Sequence, residues 1–515
     1  MFADGLGFVP DALTDSPIMV IAQNPGELEE AGRRVTHYVE GNAMTEPCPP
    51  QPMIGKTGYV LRRTFLPLAG AEDASVGNIL KCRWQQHGAR TNKLPTGATL
   101  REAVAHCMNA YFHVPPQTRL IVAHGGPAWE ALGGPGQIHE WRGHLAPSTY
   151  AGLPVYATLH TADLFHEPRM DLVARRDWGK IPRILAGTWP EKEPDTFPIK
   201  PSTLFNLVPW VDEALAQPWI ALDTEYNPDT KELWLIGFGW PGSSIAQADW
   251  YKLPDWARAE VQVQLVRLAR GVPIVMHNAL ADVPVLRRAC GLEWGDYKQI
   301  EDSMQAHAVL WSELPHDLEF LASLDGRYHK MKHLRHTDPL RYHKGDVLET
   351  ISVWQELEKE LLLDAKSHDV YRTQIRLLPH IDRSMSVGIA VNGAAVESAY
   401  ATYTEKVIEA QRIAEAYCGY PLNLSSDAQV RFWLYTVESH TVRKHRKTRK
   451  PTVDKDAVAV MRGKYLAVPG DEEPLVENTI ERIGAGGHPL LEARALHGNA
   501  EQCVSHYLTP LVVGA

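Results

Sequence analysis

The chain has 515 residues, 44% of them hydrophobic and 22% charged, which is the composition of an ordinary globular protein and is too long for a single core. Two to four domains are expected. With 62 acidic and 52 basic residues the net charge is −10, so there is no general electrostatic pull toward nucleic acid, and any such contact must come from local patches.

The first residues, MFADGLGFVPDALTDSP, have neither a basic start nor an apolar core, so no signal peptide is expected, and no apolar run is long enough to span a bilayer. The six cysteines (Cys48, Cys82, Cys107, Cys290, Cys418, Cys503) are scattered without a CxxC, which suits a reducing cytosol rather than a disulfide framework. In chain order, strands are predicted at 17–23, 75–82, 118–124 and 153–160, with helical stretches such as 100–112 between them. This alternation predicts an α/β layer with a mostly parallel sheet. Residues 188–202, rich in proline and charge, read as a linker. A second α/β region follows, with strands at 219–226, 233–240 and 272–278, the first two close enough to pair as a meander. Helices dominate from Glu301 to about Glu360, and nearly everything after Val370 reads as helical, including 394–420 with a glycine near its end. One basic cluster stands out, Arg443, Lys444, Arg446, Lys447, Arg449 and Lys450, which is either a solvated loop or a phosphate clamp.

Chemistry concentrates in the second region. The strand WIALDTEY ends in Asp223 and Glu225, and residues two apart on a strand share a face. Two adjacent carboxylates repel unless a cation lies between them, and hard oxygen donors suit Mg²⁺ or Mn²⁺. Downstream, Asn278 and Asp282 lie four apart after a strand, and Tyr342 and Asp346 lie four apart in a helical segment, where they share a face. The set DxE, Nx₃D, Yx₃D resembles the tyrosine branch of the DEDD 3′–5′ exonucleases, which have an RNase H-like fold. The segment SMQAHAVLWSELPHDLEFLA, with His316, Asp317 and Leu318, resembles the helix before the family's third motif. The resemblance covers about 170 residues and implies two-metal phosphodiester hydrolysis. It implies that Asp223, Glu225 and Asp346 hold the two ions, that Asp282 completes the site, that Tyr342 orients the attacking water, and that Asn278 contacts DNA. His277 and His343 neighbour these residues.

The first region carries VIAQNPGELEEAG (20–32), PMIGKTGYVLRRTF (52–65), VGNILKCR (76–83) and TLHTADLF (158–165). In this order they resemble the uracil-DNA glycosylase superfamily, with the layout of family 4. Gln23 and Asn24 fall in the water-positioning motif, although the family 4 acid is absent. The resemblance implies that Asn78 reads the uracil edge and that His160 stabilises the departing anion. Met53 stands where an aromatic often stacks on the base. Cys82 and Cys107 match two ligands of the family 4 iron–sulfur cluster, but a cluster of that kind needs four, so none is expected. Uracil excision and plain DNA binding or docking both stay open.

The last region contains LLPHIDRSMSVGIAVNGAAV (377–396), PLNLSSDAQVRFWLY (421–435) with Asn423 and Ser426, and residues 488–512, which resemble the thumb of family-A DNA polymerases. The thumb's Arg-x₃-Lys pair is replaced by Gly498 and Gln502. Taken together, the chain resembles the N-terminal half of a family-A polymerase. The expected order is a glycosylase-like domain (1–190), a linker (191–202), an exonuclease domain (203–368) and a helical thumb-like domain (369–515). A proofreading role on single-stranded 3′ ends and primer–template DNA is implied, with palm and fingers missing or supplied by a separate polymerase subunit, in the cytoplasm of a bacterial or phage-infected cell. Two alternatives are a ribonuclease of the RNase D type and a non-enzymatic scaffold that holds a polymerase on DNA.

Overall fold

The computed structural model describes residues 7–513 apart from 87–88, 92–93, 95–96, 446–448, 464–481 and 484–485. The chain divides into two compact units, Met1–Ser386 and Val387–Ala515. Among the described residues no helix is long and apolar enough to cross a membrane.

The first unit contains, among the described residues, a four-stranded and a six-stranded sheet besides two small hairpins. Strands β1 (Ile18–Ala22), β2 (Ser75–Asn78), β3 (Leu120–His124) and β4 (Val155–Thr158) form a parallel sheet in the order β2-β1-β3-β4. Every residue of these strands is buried, as expected of a parallel sheet covered on both faces. Strand β2 is shorter than its apolar run suggests, because the next two residues turn to a different partner. Ile79 and Leu80 donate to the carbonyls of Ala22 and Gln23, at 2.9 and 3.0 Å, and so fix the loop after β1. A hairpin of Arg33–Val39 with Asn42–Pro47 also forms where no strand was expected.

The second sheet runs β10-β9-β6-β7-β8-β5, where β5 is Thr196–Pro198, β6 Ile220–Tyr226, β7 Leu233–Gly239, β8 Ile245–Asp249, β9 Ile274–Met276 and β10 Ile300–Asp302. The expected meander is present: β6 pairs antiparallel with β7, and β7 with β8. The segment read as a linker needs correction, because Thr196–Pro198 adds to the sheet as a parallel edge strand beside β8. Helix α1 (Pro339–Leu363) packs on this sheet, and α2 (Ala365–Val387) follows. The first compact unit runs to Ser386 and includes nearly all of α2. The reason lies in α2: Tyr371 donates to Glu301 at 2.5 Å and accepts the Asp302 N–H, and Arg287 pairs with Asp382.

Buried polar contacts join the two sheets. Arg142 pairs with Asp177 at 2.7 Å and donates to Ser323, Lys180 donates to the Ser323 carbonyl at 2.6 Å, and Trp189 donates to the Gly326 carbonyl at 3.1 Å. Removing one partner of such a pair costs about 3–5 kcal/mol, because it strands a buried charge.

The second unit is helical. It contains α3 (Gly393–Cys418), α4 (Asp427–Phe432), α5 (Lys455–Arg462) and α6 (Pro489–Gln502), around a core that includes Leu422, Leu424, Val430, Leu434, Leu490 and Leu491. The expected helix near 394–420 stops at Gly419, whose φ of +73° favours a residue without a Cβ. Ser426 caps α4, accepting the Gln429 N–H at 3.4 Å. In the basic cluster, Arg446 and Lys447 lie outside the described residues. Among the described residues beside them, Lys444 lies opposite Pro451, and the His445 N–H donates to the Lys450 carbonyl at 2.9 Å. Lys444, Arg449 and Lys450 are exposed.

Candidate functional site

The second sheet brings four of the predicted acids to one place. Asp223 and Glu225 project from the C-terminal end of β6, beyond the last residues paired with β9. Asp282 stands in the first turn of the helix Ala279–Cys290. Tyr342 and Asp346 lie one turn apart on α1. Asp223, Glu225 and Asp346 each offer a carboxylate oxygen within 4.8 Å of the others.

Asp282 is held differently. It is buried, and its Oδ1 accepts both the Thr224 N–H at 3.2 Å and the Thr224 hydroxyl at 2.5 Å. Thr224 lies between the two strand acids, so this bond locks the face on which they point. Burial, followed by neighbouring negative charge, raises the Asp223 carboxyl well above its usual range. Burial also lifts Asp346 to about 7, against the bond it accepts from Tyr342, and lifts Asp282 to about 7 against its bond from Thr224. Burial raises Glu225 as well, opposed by the charges of Arg335 and Lys332. The Tyr342 hydroxyl is raised by burial and by Asp346, to which it donates. An all-oxygen donor set whose charges repel one another fits a hard divalent cation.

Several residues of the site escape sequence reasoning. His343, fully buried, turns toward β6 rather than toward the acids' open side. The Gln247 amide donates to its Nδ1 at 2.7 Å, leaving Nε2–H to donate to the Asp223 carbonyl at 3.1 Å. Gly237, paired with Asp223 on β7, leaves room for that ring: a Cβ there would lie 2.8 Å from His343 Cε1. Lys332 and Arg335 are exposed beside the acids. The only sequence signal for them is a short basic run near 330–336.

Asn278 is the N-cap of its helix in the left-handed region (φ +69°), which asparagine tolerates better than most residues. Its backbone N–H and that of Ala279 donate to Asp302, which also caps the helix starting at Ser303. The segment expected as one helix before the third motif is two, Ser303–Leu310 and Leu318–Asp325, because Pro315 interrupts it. Asp317 caps the second through the Phe320 N–H at 3.0 Å, and His316 meets His307 at 2.8 Å.

In the first sheet, a cavity of about 370 Å³ is lined by Gln23, Asn24, Glu29, Met53 and His160 among others. His160 Nδ1 accepts the Ala162 N–H at 3.1 Å, and burial lowers the ring to about 4, so it is neutral. Met53 has a φ of +54°, and a Cβ on Gly58 would lie 1.6 Å from its carbonyl oxygen, so Gly58 is fixed by that close approach. Glu29 was not singled out in the sequence. It is buried, its carboxyl raised by burial, and it accepts backbone N–H groups of Gly26, Met53 and Gly55. Asn78, fully buried opposite Ala22, is not among the lining residues, and its amide has no hydrogen-bond partner. All six cysteines are unpaired with one another.

No family model matches the sequence, and no curated protein does. One similar solved structure is the POL domain of Pol1 from M. smegmatis in complex with DNA primer-template and dNTP, at 16% identity and a TM-score of 0.41, over 58% of this chain. This chain covers 47% of that one, less than half its length. A likeness of that size does not decide a family.

Proposed function

We propose that the first unit is a metal-dependent 3′–5′ exonuclease acting on DNA. The observation that carries this reading is the convergence of Asp223, Glu225 and Asp346 within 4.8 Å, with Tyr342 one turn from Asp346 on the same helix. Asp223, Glu225 and Asp346 hold the ions, and Asp282 acts through Thr224 to set the strand face. When bound, divalent ions supply Lewis acidity and neutralise charge at the scissile phosphate. Tyr342 orients the attacking water, its hydroxyl kept protonated by burial and by Asp346. His343 holds the Asp223 backbone, and Lys332 and Arg335 offer cations to the phosphates of the incoming strand. In the same reading residues 1–190 form a glycosylase-like DNA-binding module and the second unit a thumb-like clamp on primer–template. A polymerising subunit is the implied partner.

The test is degradation of 5′-labelled single-stranded DNA and RNA of one sequence, with Mg²⁺ and with EDTA. A ladder that shortens from the 3′ end of DNA only with the metal is the expected result. Preferential cleavage of RNA would replace this reading with a ribonuclease of the RNase D type, and no cleavage of either would favour the scaffold.

A further inference from the structure

The second unit contains a group of side chains with no part in the proposed nuclease. Glu438 and His440 lie on the turn after the wide helical stretch Trp433–Val437, and His488 is the N-cap of α6. Ser439 between them has a φ of +58°, which turns its two neighbours toward one point. Glu438 Oε2 lies 3.0 Å from His440 Nε2 and 2.9 Å from His488 Nε2. The other carboxylate oxygen accepts Trp433 Nε1–H at 2.8 Å, which sets the plane of the group. The Tyr417 hydroxyl is 3.3 Å from the same His488 Nε2, and Cys418 follows it at the end of α3.

The three candidate ligand atoms of Glu438, His440 and His488 lie within 4.8 Å of one another. An imidazole nitrogen has either one proton or one lone pair, yet His488 Nε2 faces both a carboxylate oxygen and a hydroxyl. The same carboxylate oxygen also faces the second imidazole. A cation between the three donors would use both nitrogen lone pairs and the oxygen at once. Tetrahedral zinc with bonds of about 2.0–2.1 Å has donor–donor edges of about 3.3 Å, a few tenths of an ångström longer than the two oxygen–nitrogen separations of 3.0 and 2.9 Å. Trp433 is then the outer partner that orients a ligating carboxylate.

We propose that Glu438, His440 and His488 form a Zn²⁺ site that fastens the 438–440 turn to the start of α6. The donor set, two nitrogens and one oxygen, suits zinc better than Mg²⁺. The fourth position falls to water. The site stands apart from the nuclease acids and does not rest on the exonuclease reading.

The test uses the full chain carrying Asp223→Ala and Glu225→Ala, so that the nuclease acids cannot take up the metal. The protein is stripped with a chelator and titrated with Zn²⁺, and bound metal and unfolding temperature are measured. One Zn²⁺ per chain and a raised unfolding temperature are expected, with affinity falling at least about tenfold when His440→Gln is added. No stoichiometric uptake, or equal uptake in the His440→Gln chain, overturns the site. If the His440→Gln chain does not fold, Co²⁺ loaded into the parent decides. Intense visible absorption marks a tetrahedral site, and a weak six-coordinate spectrum overturns it.

Discussion

The two sheets of the first unit treat the polar groups at their strand ends in opposite ways. At the first, Glu29 is tied to three backbone N–H groups and burial lowers the His160 ring to about 4, while the Asn78 amide at the end of β2 is buried with no hydrogen-bond partner. At the second, Asp223, Glu225 and Asp346 converge, and burial raises all three carboxyls, with repulsion from neighbouring carboxylates adding to the rise at Asp223 and Asp346. The first edge suits a neutral, hydrogen-bonding ligand. The second gathers carboxylates that could hold a metal ion. Position at the end of a strand thus offers a site, and the side chains decide what kind.

The sharpest way to break this contrast at a single atom is Tyr342→Phe. Loss of the hydroxyl that orients water is expected to lower the rate of DNA shortening about a hundredfold with little change in metal affinity. His343→Ala removes the bond to the Asp223 carbonyl, and a loss of about tenfold or more is expected, with a higher metal requirement in a Mg²⁺ titration. Linkage gives a third handle. Asp282 and Asp346 titrate near 7 in the fold, above the usual carboxylate value of about 4. With folded values raised, their contribution to stability is full below the unfolded value and is lost as pH rises through about 7. A cation that takes the place of the Asp346 proton should restore its share. The stabilisation gained on adding Mg²⁺, about 2.7 kcal/mol at a hundredfold excess over Kd, is therefore expected to grow as pH rises through that range. A gain that shrinks with rising pH would contradict the carboxylate assignment. At the first edge, Asn24→Ala is expected to leave DNA shortening within about twofold of the parent, while a filter-binding assay reports any loss of affinity for uracil-containing single strands.

Much of this was legible in the sequence because the relevant periods are local. The strand period placed Asp223 beside Glu225, and the helix period placed Tyr342 beside Asp346. The four parallel strands of the first sheet were visible as apolar runs for the same reason. What escaped depends on partners far along the chain. Thr196–Pro198 is a strand only because β8 lies beside it, and a three-residue run among prolines carries no periodic signal. His343 reads as a neighbour of Tyr342, and its bond to Asp223 follows only from the crossing of α1 over β6. The Glu438–His440–His488 group joins residues some fifty positions apart, and no spacing rule links them.

The most direct test of the central claim compares the parent chain with Asp223→Ala, Glu225→Ala on a 3′-mismatched primer–template in Mg²⁺ without nucleotides. Removal of the mismatched end by the parent and none by the double variant, with both chains showing the same circular dichroism, is the result predicted. Equal shortening by the two chains would place the chemistry elsewhere and contradict the assignment of these acids.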